Sequence, residues 1–152
     1  MPMLRKLFIT NAPAATIVVR FLVGAVFLSE GIQKFLFPAE VGAGRFEKIG
    51  FTAPEFTATF VACFEIMCGS LVLLGLLTRL AVIPLITIMI VAIASTKIPI
   101  LREQGFWKMA HEARTDWSML LGSLFLLVVG AGSLSFDAWL MSRRQRGGVA
   151  ML

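Results

Sequence analysis

Residues 54–77 read PEFTATFVACFEIMCGSLVLLGLL. Beyond Glu55 this run carries a single charge, Glu65, near its middle. About 20 mostly apolar residues suffice to cross the hydrocarbon core of a bilayer as a helix. The stretch therefore predicts a membrane span with one ionisable side chain inside it.

Similar runs lie on either side. The first covers about residues 12–37, with Pro13 suited to an opening helical turn and Pro38 to the stop. A third covers about 79–96, with Pro84 in its early turns, and a fourth about 112–131. Residues 38–55 read as a loop punctuated by Gly42, Gly44, Gly50 and Pro54. In residues 97–111, Trp107 and Lys108 stand beside apolar residues, which suits a segment lying at the membrane interface. With no internal repeat and no second domain, residues 1–152 are expected to form one all-α domain, an integral membrane four-helix bundle.

Composition agrees. Of 152 residues, 58% are hydrophobic and 15% are charged, whereas soluble domains carry about 25% charged residues. The net charge is +5, but most of the basic residues sit at the termini and in loops, and no nucleic-acid-binding motif is present. The expected partner is the lipid bilayer, not nucleic acid. The side of the termini holds Arg5, Lys6, Arg79, Arg143, Arg144 and Arg146, and the opposite side an equal number, Arg45, Lys48, Lys97, Arg102, Lys108 and Arg114. The terminal clusters are denser and closer to membrane ends, so the positive-inside tendency favours cytoplasmic termini in a multi-pass protein of the bacterial plasma (inner) membrane. The opening MPMLRK could begin a signal peptide, yet Arg20 interrupts the apolar run and no small-x-small cleavage site follows. It reads as an uncleaved first helix.

Charges inside spans are costly and mark functional candidates. In the first span Arg20, Gly24, Phe27, Glu30, Gly31 and Lys34 fall on one arc of about 120°. Leu22, Ala25, Val26 and Leu36 occupy most of the other side and should face lipid. Glu30 and Lys34 are spaced i, i+4 in the favourable order for an ion pair. Arg20 lies about 21 Å from Lys34 along the axis, near the other surface, where it can snorkel.

In the second span Glu65 shares a face with Ala58, Ala62, Cys68 and Gly69, small residues that permit close helix approach. That face should pack against the charged arc. Glu30 and Glu65 reach similar depth, and His111 to Asp116 open from the same side. A pocket bounded by Glu30, Lys34, Glu65, His111 and Asp116 is the candidate ligand or proton site. The alternative is a set of mutually neutralised charges that specify packing and do no chemistry. No metal site is expected, because His111 is the single histidine and no carboxylate–histidine cluster has ligand spacing. Cys63 and Cys68 point apart on one helix and are read as small apolar residues.

Three motifs give the chain a resemblance to the DoxX family of small bacterial membrane proteins. Arg20, Gly24, Phe27, Gly31 and Lys34 lie in RFLVGAVFLSEGIQKFLFP; Glu65, Gly69, Gly75 and Arg79 lie in FEIMCGSLVLLGLLTRL; Gly130, Gly132, Ser135 and Asp137 lie in GAGSLSFDAWL. The resemblance covers about residues 15–140. It implies a four-helix membrane bundle, and among its members some are associated with quinone-linked redox systems and others with assembly of partner proteins. No haem, flavin or nicotinamide motif is present, so no covalently bound cofactor is expected. A redox role would need a partner protein or a diffusible quinone, and a homo-oligomer is the other expected association.

Two functions follow. The first is a membrane subunit of a redox system with a quinone or small-molecule site, Glu30 or Glu65 relaying protons and Lys34 and His111 polarising the bound group. The second is a non-enzymatic membrane module, a carrier or an assembly factor.

Overall fold

The computed structural model describes residues 12–149, with side chains described through Arg143. Arg5 and Lys6, and the side chains of Arg144 and Arg146, lie outside that range, so the orientation argument built on them has no structural counterpart here.

Seven helices are present among the described residues: α1 (Thr16–Leu36), α2 (Ala43–Ile49), α3 (Pro54–Leu74), α4 (Thr78–Gln104), α5 (Phe106–Glu112), α6 (Arg114–Val129) and α7 (Phe136–Val149). Three of them, α1, α3 and α4, are long and apolar enough to cross a membrane. The expected fourth span is helical as α6, but its 16 residues reach only about 24 Å. The 38–55 loop contains α2. The third span does not stop at residue 96. Helix α4 runs on through Pro99 to Gln104, because a proline costs a helix one hydrogen bond, which neighbouring groups can replace.

Helix α1 packs most extensively on α3, and α4 on α6. The first crossing is close because both partners lack a side chain. A Cβ on Gly24 would sit 2.9 Å from the carbonyl oxygen of Gly69, and one on Gly69 would sit 2.8 Å from the nitrogen of Leu28. Gly31 meets the carbonyl of Ala62 in the same way, at 2.8 Å. Small residues at such crossings let backbones touch where no hydrophobic drive exists between helices. The buried core beside it gathers Val23, Phe27, Val72, Val82, Leu85 and Leu126. Val18, Phe21, Leu36, Phe56 and Val128 are exposed on the outer faces, as lipid-facing positions are. Leu22 and Leu36 face outward as expected, whereas Val26 is half-buried and packs against the core.

Candidate functional site

The charged arc of α1 divides into two separate constructions. At one end Arg20 is buried, 3% exposed, and does not snorkel. Its guanidinium donates to the carbonyls of Val72 (3.0 Å) and Leu73 (2.6 Å) at the end of α3, and to those of Ala131 (3.1 Å) and Leu134 (2.5 Å) after α6. Helix C-termini leave carbonyls without intrahelical donors, and a planar five-donor fork can serve several at once. The interior therefore offers Arg20 better partners than the surface does. Gly75 ends α3 with φ +69°, and a Cβ there would strike the Arg20 guanidinium carbon and the Ser135 Cβ, each at 2.6 Å.

Asp137 completes this clasp. Its carboxylate accepts from the backbone nitrogens of Leu77 (2.9 Å) and Thr78 (3.3 Å) at the start of α4, and its own nitrogen donates to the Gly75 carbonyl at 2.9 Å. Burial pushes the Asp137 carboxyl above its ordinary range, while those two N–H groups and Arg20 pull it back. Ser135 accepts from the Ala138 nitrogen at 3.1 Å, and Arg79 donates to the Val128 carbonyl at 2.9 Å. Gly130 and Gly132 turn the chain with φ +88° and +84°. Residues from all three sequence motifs thus meet here, tying the ends of α3 and α6 to the starts of α4 and α7.

The other end of the arc opens into a cavity of about 550 Å³ bounded by α1, α2, α3, α4 and α6. Lys34 reaches into it and bonds Glu65 Oε2 at 2.7 Å, with Glu30 Oε2 at 3.8 Å. The Lys34 and Glu65 side chains are nearly closed off, whereas that of Glu30 is 47% exposed. The tighter ion pair is therefore the interhelical one, not the i, i+4 pair. On another part of the wall Lys97 Nζ lies 3.2 Å from Asp116 Oδ2. Phe27, Phe60, Ile88 and Met89 add apolar surface to the wall, with Thr87, Ser95 and Thr96 contributed by α4.

Four of the five expected site residues, Glu30, Lys34, Glu65 and Asp116, line this one cavity. His111 does not. It is exposed on α5, and its carbonyl accepts from Arg114 Nη1 at 2.6 Å. Lys97 and Arg45 also line the cavity and had not been expected there. Ending the third span at residue 96 hid Lys97. Its position eight residues beyond Met89 on the buried face of α4 is the signal that would have found it. Among the described residues, no three His, Cys, Asp or Glu side chains are grouped so as to hold a metal ion.

The DoxX family model matches residues 15–98. The chain belongs to the DoxX family. Among curated relatives, it is 51% identical over 144 residues to the "Uncharacterized membrane protein Rv3486" of Mycobacterium tuberculosis, covering 91% of this chain and 88% of that protein. It is 28% identical over 135 residues to the "Putative oxidoreductase CatD" of Bacillus subtilis, covering 89% and 93% respectively. No solved structure matches the chain. The matched region ends one residue past Lys97, so Glu30, Lys34, Glu65 and Lys97 fall inside it and Asp116 beyond it.

Proposed function

We infer that this DoxX-family membrane protein is the membrane subunit of a bacterial redox system, and that its cavity takes a small quinone-type molecule. The observation carrying this reading is the buried Lys34–Glu65 pair on the wall of a cavity whose surface is mostly apolar. At about 550 Å³ the cavity has the size of small-molecule sites, roughly 300–1,000 Å³, and their pattern of apolar walls with a few convergent polar groups. The name of the Bacillus subtilis relative, which refers to an oxidoreductase, points the same way.

A bound quinone would supply a two-electron, two-proton couple, its electrons delivered by a partner redox protein. Lys34 is placed to donate an N–H to a carbonyl oxygen and to stabilise the charge that reduction builds there. Glu30, partly exposed and 3.8 Å from Lys34, connects the ammonium to the outside and is suited to pass protons inward. Glu65 holds Lys34 in place. Helices α1, α3, α4 and α6 form the four membrane crossings of this reading. The short α6 is accommodated by local thinning of the bilayer, and both termini lie in the cytoplasm of an inner-membrane protein.

A second reading is a non-enzymatic carrier or assembly factor. It draws on the same pair, since Lys34 and Glu65 neutralise each other and can specify packing alone. Mass spectrometry of molecules extracted from the purified protein, together with its co-purifying proteins, separates the two. A retained quinone and a redox partner support the first. Phospholipid alone with a folding client supports the second.

A further inference from the structure

The cavity wall carries charge in two places, not one. Lys34 comes from α1 and is held by Glu65 of α3; Lys97 comes from α4 and is held by Asp116 of α6. Each ammonium is mounted on one of the two most extensive helix pairings of the fold, α1 with α3 and α4 with α6. The charged side chains lining the cavity are Lys34, Arg45 and Lys97 against Glu30, Glu65 and Asp116, so the wall is balanced. At either lysine an anionic ligand would compete with the carboxylate already paired there, and at either of those acids a cationic ligand would compete with the lysine; Arg45, the remaining cation, is exposed on α2.

A neutral acceptor needs neither exchange, because an ammonium carries three N–H donors. Asp116 is the acceptor bonded to Lys97 among the described residues, and the Lys97 side chain is only 10% exposed. Lys34 gives one short bond to Glu65 and a long one, 3.4 Å, to the Glu30 carbonyl. Both lysines line the cavity and keep donor capacity while their positive charge is already compensated.

Building on the quinone reading, we propose that Lys34 and Lys97 are the two poles of one binding site for a net-neutral ligand with two acceptor oxygens, one oxygen for each lysine. A para-quinone ring meets this requirement, with its carbonyl oxygens at opposite ends. Gripping it between two helix pairs fixes the ring in the cavity and couples occupancy to the spacing between those pairs.

The test uses the full chain in lipid nanodiscs and three bicyclic probes of similar size. Menadione carries two opposed carbonyls, 1-tetralone carries one, and naphthalene-1,4-dicarboxylate carries two anions. The expected order is menadione tightest, with 1-tetralone weaker by about tenfold or more, the scale of one lost hydrogen bond to a charged group. Lys34→Met and Lys97→Met should each weaken menadione by a similar factor. Paired substitutions Lys34→Met with Glu65→Leu, and Lys97→Met with Asp116→Leu, remove each ion pair as a unit and keep the test valid if a single variant misfolds. Menadione binding that ignores Lys97 in both formats overturns the two-pole site and leaves the quinone reading standing. Tighter binding of the dicarboxylate overturns the neutral-ligand assignment. No saturable menadione binding to the unaltered protein overturns the quinone reading and the two-pole site together.

Discussion

Lys34 Nζ sits 2.7 Å from Glu65 Oε2 and 3.8 Å from Glu30 Oε2, so one ammonium on α1 serves an acid on its own helix and a buried acid on α3. Removing it strands Glu65, and loss of one partner of a buried pair costs about 3–5 kcal/mol. Lys34→Met should therefore lower thermal stability in detergent sharply, whereas Lys48→Met on the exposed side of α2 should not. Adding Glu65→Leu to Lys34→Met should recover most of the loss. Equal melting temperatures for Lys34→Met and Lys48→Met would show that the pair contributes nothing.

The α1–α3 crossing depends on Gly69 having no side chain, since a Cβ there already meets the Leu28 nitrogen at 2.8 Å. Gly69→Leu should push the helices apart and give aggregated or unfolded protein on size exclusion. Leu74→Ala, on the outer face at 51% exposure, should change the melting temperature little. Comparable behaviour of the two variants would mean that the crossing tolerates separation.

Arg20→Lys tests geometry apart from charge. A lysine keeps the positive charge but has three donors at one point in place of a planar fork, and it cannot serve carbonyls from Val72 to Leu134. At least one buried carbonyl loses its donor, at about 1–3 kcal/mol for each group left unsatisfied. The expected result is a clear drop in melting temperature. A variant as stable as the parent would assign Arg20 a purely electrostatic role.

Asp137 caps the start of α4 from a helix that follows it by more than a full span. Asp137→Ala leaves the Leu77 and Thr78 nitrogens without their side-chain acceptor, a loss of about 1–2 kcal/mol by analogy with helix caps. Hydrogen exchange should speed up at those two amides ahead of the rest of α4. Uniform exchange along α4 in both proteins would show that the cap does not hold this end.

Topology is accessible to labelling. In a chain with Cys63 and Cys68 replaced by alanine, single cysteines introduced at positions 5 and 146 should react with an impermeant maleimide only after the inner membrane is opened. Labelling of both in intact spheroplasts would reverse the orientation, and labelling of one alone would give an odd number of crossings.

Hydropathy made the bilayer-spanning runs legible before any coordinates, because an apolar run of about 20 residues has few other stable environments. It located α1 and α3 well, and the helical period alone put Glu30 and Lys34 on the same arc as Gly24 and Gly31. Charge cost then marked Glu65 as a residue needing a partner. Partner choice lay beyond the sequence. Whether Lys34 bonds Glu30 or Glu65, and whether Arg20 reaches the surface or four carbonyls, depends on distances between segments far apart in the chain. The same holds for Lys97, which hydropathy left outside the third span and which α4, running on through Pro99, carries to the cavity wall beside Asp116. Periodicity is a local property of one helix. The cavity is made by five, and only their packing set which charges meet.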